Sequence, residues 1–212
     1  MAESRSALAH QFDDLAQQYH ASSLGMWAFL LTEIMFFGGL FVGYTVYRSA
    51  YLEGFIEGSH HLDTILGTVM TAILIGSSLT MALSVHAAQV GHTKLLTRFL
   101  LLTMFLGLMF LSIKGYEYWH KYHTDTVPGF RFHYDGPHPK IVRLFLSFYF
   151  IMTSMHALHM IIGIGLQAVL VMMAWRGVFS AEYHTPVEII GLYWHFVDIV
   201  WIFLYPLLYL VG

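Results

Sequence analysis

The sequence predicts an all-α integral membrane protein, built as a bundle of five transmembrane helices. Of its 212 residues 57% are hydrophobic and 11% are charged, whereas soluble proteins carry about 25% charged residues. The mean hydropathy is +0.62. Five apolar runs are long enough to cross a hydrocarbon core, which takes about 20 residues of helix. The alternation typical of a membrane β-barrel is missing, and a helix satisfies its own backbone hydrogen bonds in lipid.

The apolar runs set the boundaries of the predicted spans. These are residues 24–47, 64–88, 95–115, 141–174 and 186–211. The short connection between the second and third spans predicts an antiparallel hairpin. The longer connection, residues 116–140, contains three prolines and is expected to form a surface loop. Residues 1–23 are polar and predict an exposed tail, and residues 24–212 form one membrane domain.

Charge and cysteine content exclude several classes of function. The net charge is -3 and no basic run resembles a nucleic-acid footprint, so nucleic acid is not an expected partner. The chain has no cysteine. This excludes disulfides, thiolate metal sites and a cysteine nucleophile.

A single acidic residue, Glu33, interrupts the first span in the segment LLTEIMFFGGLF. At 1.5 Å per residue it lies about 14 Å from the start of the predicted span, close to mid-membrane. An ionisable residue at that depth is costly and is normally functional. Two interpretations stay open, namely a carboxyl group that exchanges protons, and a protonated structural acid bonded to a neighbouring helix.

Two histidines, His156 and His159, lie one turn apart in MHALHMIIGIG, near three methionines. Imidazole and thioether groups suit Cu(I), and paired histidines can ligate haem. The alternative is hydrogen bonding between helices. Hydrogen bonding is favoured, because ligand-type residues near one another do not define a metal site without the required geometry.

The last span places His195 and Asp198 three residues apart in YWHFVDIVWIFLYPL. Residues at this spacing share a helix face, so the carboxylate is expected to fix the imidazole tautomer in a polar clasp. Lys114 and Glu117 have the same spacing and predict an ion pair that anchors the end of the third span. Arg176, directly after the fourth span, is interpreted as an interfacial anchor or a ligand for a lipid phosphate.

Several segments together resemble one family, subunit III of the haem-copper respiratory oxidases. The segment EIIGLYWHFVDIVWIFLYPLLYLVG is similar to that family's last helix almost residue for residue. LLTEIMFFGGLF resembles its helix with a membrane carboxylate, and MHALHMIIGIG resembles its His-x-x-His helix. FLGLMFLSIKGYEYW is similar to the segment that enters its long outer loop. The resemblance covers residues 24–212.

This resemblance implies an accessory subunit of a cytochrome c oxidase with no catalytic residue and no metal site of its own. Haem and copper are expected in partner subunits. The implied partners are the catalytic subunit I, subunit II, small subunits and membrane phospholipids. The implied location is a bacterial cytoplasmic (inner) membrane, with residues 1–23 as a cytoplasmic tail, although the count of positive charges favours an outside amino terminus.

The resemblance also assigns residues. Glu33 matches the family's membrane carboxylate, which is sensitive to carbodiimides and related to proton uptake. Five further positions match its structural polar residues: His156, His159, Glu188, His195 and Asp198. Arg176 falls where the family has an arginine that can meet a lipid head group, and Trp175 precedes it as a second lipid-binding candidate.

One departure from the seven-helix members is the lack of two helices before the carboxylate-bearing span. Five-helix forms occur in bacterial oxidases, including quinol oxidases, so a quinol oxidase subunit III is the main alternative. A proton-coupled transporter that uses Glu33 is a second alternative. A membrane haem or copper protein that uses the His and Met cluster is a third.

Overall fold

The computed structural model describes residues 10–124, 126–129, 132, 134 and 136–211. These residues form six α-helices: α1 (Leu15–Ala50), α2 (Leu52–Ser59), α3 (Thr64–Gln89), α4 (Thr93–His123), α5 (Pro139–Trp175) and α6 (Thr185–Tyr209). In this described part of the chain, every helix except α2 is long and apolar enough to cross a membrane. The prediction of an all-α bundle with five transmembrane helices is confirmed.

Aspartate side chains cap the first turns of α1 and α3. The carboxylate of Asp14 accepts a hydrogen bond from the backbone N–H of Gln17 at 2.6 Å. Asp63 accepts from the N–H of Leu66 at 3.0 Å. Each cap satisfies a backbone donor that has no partner within the helix, which fixes where the helix begins.

Glycines with positive φ end α3 and α5 in the same way. Gly91 has φ 76° and Gly177 has φ 70°, a left-handed conformation that costs glycine little. At the end of α5, the N–H groups of Gly177 and Val178 donate to the carbonyls of Ala174 and Met173, both at 3.1 Å. This is a Schellman motif. The equivalent turn at Gly91 reverses the chain into α4, which gives the predicted hairpin.

Two predicted boundaries are wrong. Helix α1 begins at Leu15 rather than at residue 24, so part of the predicted polar tail is helical. Residues 1–9 of that tail lie outside the described residues. Helix α4 continues to His123, through the first part of the predicted loop 116–140. The reason is that Lys114, Glu117 and Lys121 share one helix face and are all buried. The inward face of α4 is therefore polar beyond residue 113, and a boundary drawn from apolar residues alone falls before the end of the helix.

The short helix α2 has no counterpart among the predicted spans. It packs on the beginning of α5, and Phe55 is fully buried there. Gly54 and Gly58 allow this approach, since a Cβ at either position would lie 2.5 Å from the side chain of Ile141 or Phe145 respectively. A search for long apolar runs does not detect an eight-residue helix of this kind.

Helix α6 occupies the centre of the bundle and packs against α1, α3 and α5. Trp194 is fully buried, and its indole N–H donates to Ser77 on α3 at 3.0 Å. Its ring lies against Gly107 of α4 and Gly163 of α5. A Cβ would come within 2.9 Å of the ring at Gly107 and within 2.8 Å at Gly163. These glycines provide the space for Trp194, as small residues do where membrane helices pack closely.

We expect Gly163→Ala to destabilise the protein, because the new methyl group would overlap Trp194. Overpacking of this kind costs about 1 to 3 kcal/mol. Gly165→Ala is the matched control, since a Cβ there would meet no atom within 4 Å and both changes alter helix propensity equally. The measurement is the thermal denaturation midpoint of both variants in the same detergent. Equal midpoints would contradict the packing argument.

Candidate functional site

The intramembrane carboxyl group of Glu33 contacts a histidine on another helix. Its Oε2 atom lies 3.1 Å from Nε2 of His159, which joins α1 to α5. The two side chains are 19% and 10% exposed. Glu33 is near the midpoint of α1. The contact is therefore deep in the membrane and largely shielded by the bundle.

The other ring nitrogen of His159 fixes the protonation pattern of this contact. Nδ1 lies 2.8 Å from the carbonyl oxygen of Met155. A carbonyl only accepts hydrogen bonds, so Nδ1 carries a proton. Nε2 then carries a second proton only when the ring is cationic. One proton consequently occupies the contact with Glu33, either on the carboxyl group or on the imidazole.

His156 lies one turn before His159 but faces other helices. It is 1% exposed, and its ring centroid lies 5.5 Å from that of Phe110 on α4 and 5.2 Å from that of Trp201 on α6. Neither ring nitrogen has a hydrogen-bond partner among the described residues. The favoured interpretation of this pair, hydrogen bonding between helices, therefore fits His159 and is wrong for His156.

Within the ranges that the structure describes, no group of three or more His, Asp and Glu side chains has an arrangement that could hold a metal ion. His159 already uses both ring nitrogens, one with Glu33 and one with the carbonyl of Met155.

The predicted clasp between His195 and Asp198 is wrong. Nδ1 of His195 lies 2.8 Å from the hydroxyl of Ser78 on α3 instead. Asp198 is 3% exposed, and the same Ser78 hydroxyl is the hydrogen-bonding group beside its carboxyl. Residues three apart share a helix face, but here Ser78 on α3 takes the Nδ1 atom of the imidazole.

Glu188 ties the beginning of α6 to the end of α3. Its Oε1 atom accepts a hydrogen bond from the side-chain amide of Gln89 at 2.7 Å. Nε2 of His184 lies 3.3 Å from the same oxygen. Glu188 belongs to the first turn of α6, where the helix dipole favours a negative charge. This contact is structural and lies at the end of the bundle.

A buried lysine lies within a cage of aromatic and acidic side chains. Nζ of Lys114 donates to Glu117 at 2.9 Å, to the hydroxyl of Tyr149 at 2.9 Å and to that of Tyr209 at 2.8 Å. The Tyr209 hydroxyl also donates to Glu117 at 3.0 Å. The Tyr149 ring centroid lies 4.6 Å from Nζ, close enough for a cation–π contact. The cluster joins α4, α5 and α6.

The sequence indicated this ion pair but not its environment. The spacing predicts a pair that anchors the end of the third span, but it does not predict that Lys114 is 2% exposed and Glu117 6% exposed. Only the spacing of these two residues could be detected. The tyrosines that complete the cage come from distant parts of the sequence, and no local pattern connects them.

The connection between α4 and α5 is tied to α2 outside the membrane spans. The hydroxyl of Tyr134 donates to Glu57, whose second oxygen lies 3.2 Å from Nδ1 of His138. The bond to Glu57 raises the pKa of Tyr134 to about 12. Nearby, Lys121 donates to the carbonyl of His61 at 2.9 Å. Burial is the main cause that lowers the pKa of His61, and the positive charge of Lys121 lowers it further.

The two lipid-binding candidates lie at the end of α5. Arg176 is the C-cap residue of that helix and is exposed. Trp175 is 68% exposed. An exposed indole and guanidinium at the end of a transmembrane helix are typical of the membrane interface.

These features define a polytopic helical membrane protein in which the five transmembrane helices are joined by polar contacts buried in the bundle. The family model for "Cytochrome c oxidase subunit III" matches residues 15–212. The chain therefore belongs to the cytochrome c oxidase subunit III family of the haem-copper oxidases.

Named relatives agree with this assignment. Cytochrome c oxidase subunit 3 of Corynebacterium diphtheriae is 34% identical over 89% of this chain and 87% of its own length. The protein of the same name from Synechocystis is also 34% identical, over 88% of this chain and 74% of its own length. A probable quinol oxidase subunit 3 of Staphylococcus haemolyticus is 30% identical over 94% of each chain.

We expect Lys114→Met to destabilise the bundle strongly, because it leaves Glu117 buried without its cation. Breaking a buried pair in this way costs about 3 to 5 kcal/mol. The double variant Lys114→Met with Glu117→Gln removes both charges and should recover most of that loss. The measurement is the thermal stability of the single and double variants. A double variant no more stable than Lys114→Met would show that the pair does not act as a unit.

Proposed function

We propose that this chain is a redox-free accessory subunit of a bacterial cytochrome c oxidase, which stabilises the catalytic subunit and supports its proton uptake. It would work beside subunit I, subunit II and small subunits in the cytoplasmic membrane, with its amino terminus in the cytoplasm. Oxygen reduction at haem and copper would take place in the partner subunits. The observation that carries this proposal is the contact between Glu33 and His159.

That contact suits proton exchange. The bond from His159 to the carbonyl of Met155 holds the ring in one orientation, and a single proton can lie on either side of the contact with Glu33. The proton can therefore pass from one side of the contact to the other while α1 and α5 stay joined. Its limited exposure, 19% for the carboxyl side chain, leaves a route to the bundle surface.

The surroundings of the histidines support a role without haem or copper. Both nitrogens of His159 are already used by groups of this chain. His156 is enclosed by aromatic rings on α4 and α6. Neither imidazole presents a free nitrogen to an open cavity, which a haem ligand would need.

Phospholipid binding is supported by an apolar groove of about 490 Å³ between α1 and α6, lined by Trp27, Phe41 and Phe203 among others. Such a groove suits an acyl chain, which needs apolar walls and no hydrogen bonds. The exposed Arg176 and Trp175 suit a head group at the interface.

Cytochrome c is the proposed electron donor of the complex, because the matching family model and several relatives carry that name. A quinol donor is the second candidate, favoured by the Staphylococcus haemolyticus relative, which aligns over 94% of both chains. Oxygen uptake by the purified complex with reduced cytochrome c or with a quinol separates the two.

The accessory role predicts that haem is lost with the partners. Reduced-minus-oxidised spectra should show oxidase haem bands in the tagged chain after mild solubilisation, and no bands after detergent that strips partner subunits. Bands that persist in the stripped chain would make it a haem protein. No bands in either sample would favour the transporter.

We expect Glu33→Gln to assemble normally and to lose carbodiimide labelling at this position. The glutamine amide has the same volume and can donate to Nε2 of His159, but it is not an acid and does not react with a carbodiimide. Labelling is measured by mass spectrometry of the intact complex, together with oxygen uptake. The control is Glu188→Gln, which removes a carboxyl group at the helix end and should leave labelling at Glu33 unchanged. Loss of the whole complex in Glu33→Gln would show that the residue is structural.

A further inference from the structure

The imidazole of His159, which forms the contact with Glu33, lies beside aromatic rings from two other helices. The ring of Phe37 on α1 has its centroid 5.3 Å from that of the imidazole, at an interplanar angle of 61°. The ring of Tyr193 on α6 has its centroid 6.5 Å away and is tilted by only 29°. Rings at these separations attract one another. Phe37 is 2% exposed and Tyr193 is 3% exposed, so both rings are held in the core of the bundle.

Tyr193 contacts His159 at a second point. Its hydroxyl donates a hydrogen bond to the main-chain carbonyl of His159 at 3.0 Å. Its ring lies so close to α5 that a Cβ at Gly163 would come within 3.2 Å of it. The ring of Phe29 on α1 lies on it as well, with the centroids 6.1 Å apart. One residue of α6 therefore meets both the backbone and the side chain of His159.

The contact with Glu33 depends on the orientation of the imidazole. Nδ1 of His159 is bonded to the carbonyl of Met155 within α5, and Nε2 reaches across to Glu33 on α1. Rotation of the ring would break both hydrogen bonds. In a close-packed interior a side chain turns only where its neighbours leave room, and the ring of Tyr193 occupies the space beside the imidazole.

We infer that Tyr193 is a positioning residue, whose ring holds the imidazole of His159 in the orientation in which Nε2 meets the carboxyl group of Glu33. The inference rests on the proposed function, in which this contact exchanges a proton. It adds a residue from a third helix. The protonation of a carboxyl group on α1 then depends on α6, although Tyr193 forms no hydrogen bond with that group.

A positioning role differs from a covering role in what it predicts. A cover limits the access of reagents to Glu33, whether or not His159 is present. A positioning residue acts only through His159. The effect of removing Tyr193 should therefore disappear in a chain that already lacks the imidazole.

The rate of carbodiimide labelling at Glu33, measured by mass spectrometry of the assembled complex at one fixed pH, tests the inference. Carbodiimides react with the protonated carboxyl group. His159→Leu should raise the rate about threefold, the effect of losing one hydrogen bond between membrane helices, because the proton can no longer pass to the imidazole. Tyr193→Leu should raise it to a similar extent. Tyr193→Phe keeps the ring and should keep the wild-type rate.

The double variant Tyr193→Leu with His159→Leu should label no faster than His159→Leu. A further rise would show that Tyr193 covers Glu33 and would refute positioning, as would a wild-type rate in Tyr193→Leu. The matched control is Tyr205→Leu on the same helix, where the hydroxyl is bonded to Thr68 at 2.7 Å. It should label at the wild-type rate, and a rise equal to that of Tyr193→Leu would reduce the effect to general loosening of α6.

Assembly of each variant is checked by the amount of complex recovered. If Tyr193→Leu does not assemble, Tyr193→Met takes its place in both the single and the double variant. The methionine side chain is flexible and fills irregular space, but it provides no ring beside the imidazole. The same threefold rise is expected, and a wild-type rate would again overturn the inference.

The two proposals fail in different ways. If His159→Leu labels faster than the wild type but Tyr193→Leu does not, the positioning inference is wrong and the proton-exchanging contact stands. If His159→Leu itself leaves the rate unchanged, the contact does not govern the proton and the proposed role in proton uptake is wrong.

Discussion

The burial of Lys114 is the constraint on which one end of the bundle depends. A lysine at 2% exposure is tolerated only when nearby groups replace water, and here Glu117, Tyr149 and Tyr209 do so from three helices. These contacts fix how far α4 extends and how α5 and α6 meet it. They also explain why helix α4 continues past its apolar run, since its polar face still points inward.

Polar contacts also join the other pairs of helices named here. Glu33 with His159 joins α1 to α5, Thr80 with Thr103 joins α3 to α4 at 2.7 Å, and Trp201 with Thr71 joins α6 to α3 at 3.0 Å. In hydrocarbon there is no apolar driving force between helices, so such bonds and close packing around glycine hold them together.

Hydropathy alone predicts that the spans exist and how many there are, because crossing hydrocarbon requires a minimum apolar length whatever the fold. It does not predict the residues at which the helices begin and end. Asp14 begins α1 within the segment predicted as a tail, and α4 continues past its apolar run to His123 because the polar residues on its inward face are buried. The family resemblance was carried by specific motifs and is confirmed, and the roles that it implies for single residues stay predictions.

The sequence by itself determined which transmembrane helices form, that Glu33 lies near mid-membrane, and to which family the chain belongs. Periodicity also showed that His195 and Asp198 share a face, but not which group lies opposite that face. Only the tertiary structure decided the partners: His159 for Glu33, across 126 positions of sequence, and Ser78 for His195, across 117. The physical reason is that a hydrogen bond depends on distances of about 3 Å, and these arise only when helices far apart in sequence pack side by side.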